Sequence, residues 1–508
     1  MKNYILTTIL IISLYSCSKE IDEIEVLPYA SSSLDETAGN WKTFVLTSPG
    51  EIAINDPVPV TDAAYLSEMD SIKNTVIPNL TGEQKELIQY WGAGAVLRWN
   101  EIGRELSARY NLPPASNAEG QYPVPDPANP LADPKFPFAN PPYTARALAY
   151  LSVAQYDALV SAWHYKYQFN RKAPYQVDPS IKPLLPPSDL PAYPSEDAVV
   201  AKASYVVLLA MFPGEEPFLR SKLEECMQVP VWAGMNVSSD VDAGIKIGAG
   251  VAAKVLTRAK TDGMGSSNNQ SLTDGMLEHA KSLGIVNPWI SQESPARPPM
   301  LPNYGAVKTW NLDRNRLESI RPPMPYLEGS VEFKKDLDEL KYIQKNQSRK
   351  QAAIANYWAD GPGSFTPPGH WHRYAASAGV DAEFNEIRMA RLFAYVGTAL
   401  MDAGIACWDT KFFYYSPRPQ QFGLKTSVGL PNFPSYTSGH STFSFAAATV
   451  LSAFFPDKES LFIQYAWEAS DSRVFGLIHY RIDCTMGNEH GKLIGDHAVQ
   501  RARGDGAD

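Results

Sequence analysis

The sequence is poor in cysteine and in positive charge, and both shortages narrow the class of protein. Among 508 residues there are 4 cysteines. The three that follow Cys17 are odd in number and show no metal-ligand pair spacing, so we predict no disulfide framework; they are Cys226, Cys407 and Cys484. The formal net charge is -10 and no basic block interrupts the acidic balance. We therefore expect no nucleic-acid partner.

Long apolar runs are also missing. After residue 17, no uninterrupted apolar run reaches the roughly 18 residues that a membrane-spanning helix needs, so we expect a body that is soluble. Residues 4–15 are apolar but too short to span a bilayer, and they precede Cys17, as in a bacterial secretory signal. Leu14 and Ser16 suit a lipoprotein cleavage site, whereas Tyr15 is bulkier than usual there. The alternative is cleavage elsewhere by ordinary signal peptidase.

These features predict an exported protein of the cell envelope that touches the membrane only through a lipid on Cys17. In this interpretation residues 1–17 are the signal, and residues 18–75 are a tether and N-terminal extension. No stretch alternates in the way a large sheet requires, and no internal repeat is present. Apolar residues instead recur at helical spacing. We predict an all-α fold with an N-terminal helical region at 76–330 and a C-terminal one at 331–508.

Helix signals recur along both regions. Thr81 and Gln84 form a capping box that opens a helix predicted to run to Leu112, and Thr144 is expected to cap a second one. Further amphipathic runs lie at 196–212, 238–258, 331–357 and 381–406. The proline-rich segments between these helices are predicted to be rigid loops rather than proline-recognition sites.

A lysine and an arginine stand in an apolar, aromatic stretch near the C-terminus, KFFYYSPRP at 411–419. Pro417 and Pro419 disfavour helix, so we predict that a helix ends near Ser416 and that Arg418 lies on an extended exit. The long side chains of Lys411 and Arg418 can then converge on one ion. Burying such cations is costly unless an anion compensates them.

A second stretch, Ser438-Gly439-His440, precedes an alanine-rich run typical of a buried helix. Ser438 is a good N-cap, and Gly439 lets the backbone approach a ligand closely. Free N–H groups at a helix start bind anions, which makes His440 a candidate acid or base beside the ion.

The third stretch, SRVFGLIHYRID, supplies Arg473, His479 and Asp483. His479 and Asp483 are at i and i+4, so on one helical face the carboxylate reaches an imidazole N–H and leaves the other ring nitrogen free. Each of the three stretches alone is more often an ordinary loop, cap or surface pair. Together, in this order, they predict a site for a small oxyanion.

The set resembles the signature K-x6-R-P, P-S-G-H, S-R-x5-H-x3-D of the type 2 phosphatidic acid phosphatase and vanadium-dependent haloperoxidase superfamily. Thr437 departs from the usual proline of the second motif. The resemblance covers about the last third of the chain and implies two packed helical bundles with the anion site in the C-terminal one. The oxyanion, vanadate or phosphate, would be held by Lys411, Arg418, Ser438, Gly439 and Arg473.

In the same resemblance, His479 is the apical ligand of vanadium or the nucleophile toward phosphate, and His440 is the acid–base group. The segments DAGIACWDTK and FPSYTSGH are similar to vanadium chloroperoxidases and imply a halide pocket at Trp408 and Phe433, for which ordinary aromatic core is the alternative. YWADGPGSFTPP resembles their segment with an acidic residue near the site, here Asp360, a partner for Arg473.

The function implied is a vanadate-dependent haloperoxidase-like enzyme that oxidises halide with hydrogen peroxide. The alternative is a phosphomonoesterase in which His479 attacks the phosphate ester, Asp483 orients it and His440 protonates the leaving group. A third possibility is an anion-binding lipoprotein without turnover. Two titratable imidazoles argue against it. His370 and His372, with Asp360, are a weaker candidate metal site on a predicted loop.

Overall fold

The computed structural model describes residues 26–123 and 136–507. The predicted signal, Cys17 and the acidic segment after it lie outside the described residues. Within the described ranges the chain is helical and contains no β-strand, which confirms the all-α prediction. The described cysteines are free and buried.

The α-helices are α1 (Ala63–Ser71), α2 (Gly82–Trp91), α3 (Ala95–Tyr110), α4 (Pro141–Phe169), α5 (Pro174–Val177), α6 (Glu196–Met211), α7 (Glu216–Trp232), α8 (Ser238–Ala259), α9 (Thr273–Ser282), α10 (Arg314–Ser319), α11 (Val331–Asn346), α12 (Arg349–Tyr357), α13 (Thr366–Asp381), α14 (Glu386–Tyr414), α15 (Gly439–Phe454), α16 (Glu459–Phe475) and α17 (Arg481–Arg503). Short 3-10 turns and one π-helical turn at Ile72–Val76 lie between them.

Helix boundaries depart from the sequence predictions where glycine or a competing cap intervenes. The Thr81–Gln84 capping box is present, but the helix ends at Trp91 and α3 begins after Gly94, whose φ of 120° suits only glycine. The prediction of one helix to Leu112 was therefore wrong. The cap of α4 is Asn140, which accepts a hydrogen bond from the Tyr143 N–H.

Two further predicted runs also differ from the structure. The run at 331–357 is two helices, because the Ser348 hydroxyl caps a new one at Arg349. The run at 381–406 begins later and ends later than predicted, as α14. Its start is fixed by Asn385, whose side chain accepts a hydrogen bond from the Arg388 N–H.

The N-terminal helices α3, α4, α6, α7 and α8 pack on one another, and α13 to α17 form the C-terminal group. Helices α4 and α14 are the longest and lie against each other, so they join the two groups through one shared core. Helix α14 and its exit are long and apolar enough to span a membrane, yet this segment is buried within the protein. It is the central core helix, and its last turn carries Lys411 to the site.

The segment before α1 also joins the core. Trp41 and Leu46 are buried, and the Asp157 carboxylate in α4 accepts hydrogen bonds from the backbone N–H groups of residues 44–46. This part of the N-terminal extension is therefore a packed element of the fold.

Candidate active site

Lys411 lies in the last turn of α14 and organises the loop that leads to α15. The helix ends at Tyr414, within two residues of the predicted end. The Lys411 Nζ donates to the carbonyl oxygens of Pro434, Ser435 and Thr437, at 3.0, 2.6 and 2.5 Å. An ammonium has three donors, so direct contact with an anion exchanges one of these bonds. Burial lowers the pKa of Lys411 to about 8.

Arg418 follows on an extended backbone, as predicted, and is fully buried. Its Nε donates to the Phe433 carbonyl at 2.8 Å and its Nη1 to the Ile478 carbonyl at 2.7 Å. Its Nη2 is buried and has no hydrogen-bond partner. Burial lowers the pKa of Arg418 to about 9, which reflects the cost of an uncompensated guanidinium. One donor of a rigid fork is thus left for a ligand.

Phe433 and Trp408 form an aromatic wall beside these cations. The Phe433 ring centroid lies 5.1 Å from the Lys411 Nζ and 5.0 Å from the Arg418 Cζ, which are cation–π distances. The Trp408 ring centroid is 4.8 Å from that of Phe433, and its indole N–H donates to the Met300 carbonyl at 3.2 Å. The predicted pair is therefore partly structural, because it packs against the cations as well as lining the cavity.

Helix α15 presents its N-terminus at the same place. The Ser438 hydroxyl caps the helix by accepting a hydrogen bond from the Ser441 N–H at 3.3 Å, as predicted. A Cβ on Gly439 would meet Phe443 and Trp408 only at 3.9 Å, so the glycine leaves bare backbone toward the cavity. The Ser438 N–H donates to the Asp483 carbonyl at 3.0 Å, which ties the second motif to the third.

His479 is held as the third motif predicts, but by a different local structure. It precedes α17 instead of lying on a helical face, and the Asp483 carboxylate folds back across the helix start. The His479 Nδ1 lies 2.9 Å from the Asp483 Oδ2, which also accepts from the Ser435 hydroxyl at 2.5 Å. Nδ1 is therefore assigned the proton, and Nε2, 3.5 Å from the Arg418 Nη1, is left with its lone pair.

The charges around this pair favour a neutral imidazole. Burial, and then Arg418 and Lys411, lower the pKa of His479 well below its ordinary value. Burial raises the pKa of Asp483 to about 6, against the hydrogen bond from Ser435 and the nearby cations. A neutral His479 with one free nitrogen can coordinate a metal centre or attack phosphorus.

Arg473 lies in the last turn of α16 and is buried. Its Nη2 donates to the Trp358 carbonyl at 2.5 Å, and its Nε lies 2.8 Å from the Ser472 hydroxyl. The expected partnership with Asp360 takes another form, because the Asp360 carboxylate is hydrogen-bonded to His370 at 3.1 Å. Arg473 acts on Asp360 electrostatically, without a hydrogen bond, as one of the charges that keep the pKa of the Asp360 carboxyl low.

His440, in the first turn of α15, faces both Asp360 and Arg473. Its Nε2 is buried, lies 3.8 Å from the Asp360 Oδ2 and has no hydrogen-bond partner. Burial, followed by the charge of Arg473, lowers the pKa of His440 well below its ordinary value, while Asp360 opposes the shift. An imidazole of this kind gives up a proton readily.

One cavity of 260 Å³ brings the motifs together. Predicted residues that line it are Asp360, Trp408, Phe433, Gly439, His440, Arg473 and His479. Lys411, Arg418, Ser438 and Asp483 support this wall from behind. Sequence reasoning missed Glu293 and Arg297, which also line the cavity and form a two-pronged ion pair. Their i,i+4 spacing was visible, but nothing in it indicated which cavity the pair would face.

The alternative metal site is not assembled. His370 and His372 lie on helix α13, not on a loop, and point to different partners: His370 to Asp360, and His372 to the Asn100 amide at 3.0 Å. The described residues contain no group of histidine, cysteine and carboxylate side chains arranged to hold a metal ion.

Comparison with known proteins places the motifs in a family. The sequence model of the PAP2 superfamily matches residues 391–495, which span the three motifs and helices α14 to α17. This segment of the chain is therefore similar to the PAP2 superfamily. No curated protein matches it in a sequence search.

Solved structures extend the likeness of this chain to known proteins beyond the matched segment. It is similar to a bacterial vanadium-dependent iodoperoxidase, with a TM-score of 0.55 and 22% identity over 71% of this chain and 91% of the other. A holo-type bacterial vanadium-dependent chloroperoxidase gives a TM-score of 0.51 and 15% identity over 75% of this chain and 96% of the other. The apo-type chloroperoxidase gives a TM-score of 0.50 and 13% identity over 72% of this chain and 95% of the other. These neighbours establish the fold, and the likeness extends well beyond residues 391–495.

Proposed function

We propose that this protein is a vanadate-dependent haloperoxidase-like enzyme that oxidises halide with hydrogen peroxide. The observation that carries the proposal is the cavity lined by both His440 and His479 together with Arg473, with Lys411 and Arg418 buried behind its wall. Such a site suits an oxyanion that is held and acted on by proton transfer. The haloperoxidase structures match 71% and 75% of this chain, which is more than its C-terminal helical region alone, and this favours the haloperoxidase branch.

The donor set fits vanadate. The Arg418 Nη2 is a buried donor without a partner, the His479 Nε2 carries a free lone pair, and Gly439 opens the backbone at a helix N-terminus. Guanidinium forks match tetrahedral oxyanions, and an imidazole with its other nitrogen bound to a carboxylate is a good metal ligand. Phosphate has the same charge and shape and would fit the same donors.

The chain's own groups would act as follows. His479 would hold vanadium through Nε2 while Asp483 fixes its tautomer, and Arg418, Arg473 and Lys411 would balance the anionic charge. His440 would give and take the proton in the cavity. Bound vanadate would supply the centre at which peroxide becomes reactive toward halide. Trp408 and Phe433 would form the dry wall beside that centre, where electrostatic interactions are strong.

The deciding experiment measures halide oxidation in purified protein stripped of oxyanions, with peroxide, before and after vanadate is added. We expect activity only with vanadate and competition by phosphate. His479→Ala should abolish it, whereas His372→Asn, a matched loss of a buried imidazole outside the cavity, should keep it. Full activity of His479→Ala would overturn the site assignment.

The second candidate is a phosphomonoesterase. It is favoured by the match to the PAP2 superfamily and by the His479–Asp483 pair, whose free Nε2 is also suited to attack on phosphorus. The same protein samples should be assayed with alkyl and aryl phosphates without vanadate. Efficient hydrolysis of alkyl esters, with no halide oxidation when vanadate is supplied, would favour this candidate over the first.

A further inference from the structure

A line of polar atoms leads from His440 away from the cavity. The buried His440 Nε2 lies 3.8 Å from the Asp360 Oδ2. The His370 Nδ1 lies 3.1 Å from the Asp360 Oδ1 and 3.3 Å from its Oδ2. On the other side of the same ring, the His370 Nε2 lies 3.4 Å from the Tyr357 hydroxyl. Two imidazoles, a carboxylate and a phenol thus stand in series.

The middle of this line is enclosed by aromatic rings. His370 is 5% exposed, and its ring stacks on Trp358 with centroids 4.5 Å apart. Tyr374 and Phe365 lie at centroid distances of 5.1 and 6.0 Å. An imidazole in such a box is expensive to bury unless both nitrogens are used. Both face polar partners here, which fixes the ring in the orientation that links them.

The outer end of the line reaches solvent. Tyr357 is 55% exposed, and its hydroxyl lies 2.9 Å from that of Tyr374. A proton taken up at Tyr357 therefore has a hydrogen-bonded path to Asp360 that avoids the cavity. The last gap, from Asp360 to His440, exceeds a hydrogen bond and requires one water or a small ring movement.

We propose that Tyr357, His370 and Asp360 form a proton relay that reloads His440 from solvent, by a path whose outer members, Tyr357 and His370, lie outside the cavity. The proposal rests on the proposed function, in which His440 gives up and regains a proton in the oxyanion site. Halide oxidation by peroxide, H2O2 + X⁻ + H⁺ → HOX + H2O, consumes one proton per turnover, so His440 has to be reprotonated from solvent. Ester hydrolysis consumes none, because the attacking water returns a proton to the imidazole.

The proton balance closes without any change in oxidation state. Solvent protonates the Tyr357 oxygen as its O–H proton moves to the His370 Nε2, and the His370 Nδ1 proton moves to the Asp360 Oδ2. That oxygen passes it to the His440 Nε2 after His440 has released a proton into the cavity. Each transfer breaks one N–H or O–H bond and forms another, and the net result is one proton moved from solvent to His440. His370 is left protonated on Nε2, and exchange of its ring protons with water restores the Nδ1–H tautomer before the next cycle.

The charges that face the relay keep its central carboxylate ionised. Burial alone would raise the pKa of Asp360, but His370 on α13, His440 on α15 and Arg473 on α16 together hold it below its ordinary value. At the outer end, the neighbour of Tyr357 is Tyr374, which also faces Asp360 and the ring of Tyr465. A carboxylate between two imidazoles can accept a proton from one and give it to the other.

The relay is useful because a bound substrate occupies the cavity side of His440. Water excluded from that side can no longer exchange protons with the imidazole. A path through His370 restores His440 while the cavity stays closed to bulk water. We therefore expect loss of the relay to lower kcat more than it raises KM.

The test compares His370→Asn and Tyr357→Phe with two matched controls. His372→Asn removes a neighbouring buried imidazole on the same helix, and Tyr465→Phe removes a hydroxyl from a ring that stacks on Tyr374. For halide oxidation, we expect kcat to fall about tenfold in both relay variants, a part of the 10²–10⁴ that acid–base groups contribute. KM and phosphate affinity should stay unchanged. Imidazole added to His370→Ala should restore part of the rate.

A second measurement needs neither vanadate nor turnover. In vanadate-free protein with phosphate bound, NMR of labelled histidines gives the rate at which the His440 ring proton exchanges with solvent. We expect this rate to fall in both relay variants and to match wild type in both controls. Wild-type exchange and kcat in the relay variants, or equal losses in the controls, would overturn the relay. If the wild type shows neither activity, the proposed function fails, and the exchange rates still decide on the relay.

Discussion

At the scale of single residues, the site is a set of cations held by carbonyl oxygens. Lys411 and Arg418 donate to backbone carbonyls, and so does Arg473. These bonds fix the positions of the cations but add no negative charge. Asp360 and Asp483 compensate the positive charge of the cavity only in part, and the remainder is directed at a ligand.

Above pH 8, the binding of an anion should be accompanied by uptake of a proton by Lys411. In the anion-free cavity burial lowers the pKa of Lys411 to about 8, so the amine is largely neutral between that pH and its ordinary value of 10.5. A bound anion favours the charged form, so affinity should fall as the pH rises through this window. Phosphate stays a dianion there. Calorimetry of phosphate binding at pH 7 and 9, in buffers of different ionisation enthalpy, measures the uptake.

The matched variant for this experiment is Lys411→Met, which should bind phosphate weakly and without the pH dependence. A wild-type affinity that stays constant from pH 7 to 9 would show that Lys411 keeps its proton in the empty site. The three carbonyl bonds to Nζ would then be strong enough to offset burial.

His440→Ala separates the two enzyme candidates. In the haloperoxidase the variant should bind vanadate only modestly more weakly, because His479 and the cations remain, while halide oxidation falls by about 10² or more. In a phosphatase it should lose alkyl esters and keep activated aryl esters, whose leaving groups need no proton. Parallel vanadate titrations and ester assays distinguish these patterns. Unimpaired halide oxidation would contradict the role of His440.

At the scale of elements, buried carboxylates that bind backbone N–H groups hold the connecting segments to the helices. Asp157, in the middle of α4, accepts hydrogen bonds from Phe44, Val45 and Leu46 at 2.8, 2.7 and 3.2 Å. Asp402, in α14, does the same for Trp310 and Asn311. Both long helices thus fix a loop by the same means, and neither aspartate contacts the oxyanion site.

Asp157→Ala should destabilise the fold without altering the site's chemistry. It leaves one buried and two half-buried N–H groups unpaired, and we expect a loss of about 2–4 kcal/mol in the free energy of unfolding. Asp157→Asn keeps one acceptor oxygen and should lose less. Thermal or urea unfolding measures the difference, with phosphate affinity as the control. Equal stability of Asp157→Ala and wild type would mean that the segment at 44–46 is held by Phe44 and its aromatic neighbours alone.

The sequence predicts the elements that depend on local signals and misses those that depend on the path of the chain. The caps at Thr81 and Ser438 were predicted correctly, because a hydroxyl beside a helix start acts within one turn. The cap at Asn140 was missed because Thr144 offered an equally good local signal. The partners of Asp360 depend on how the loop before α13 meets α15 and α16, which no local pattern records.

At the scale of the whole molecule, the helices that match the PAP2 superfamily form only part of the protein. Residues 391–495 contain the three motifs, but the cavity also has walls from α3's exit, the loop before α13 and the loop at 293–300. The N-terminal region is therefore part of the site as well as of the core. Substrate choice in this protein should depend on these added walls, while the oxyanion chemistry depends on the shared helices.

The membrane attachment of this whole molecule should rest on one residue outside the described part of the chain. The apolar run at 4–15 followed by Cys17 predicts lipidation and export. Among the described residues, the one segment long and apolar enough to span a bilayer is α14 with its exit, and this segment is buried in the core. Cys17→Ala should therefore move the protein from the membrane fraction to the soluble envelope fraction, with unchanged activity. The measurement is fractionation with blotting, and Cys226→Ala, a buried cysteine, is the matched control. An unchanged distribution of Cys17→Ala would show that another feature anchors the protein.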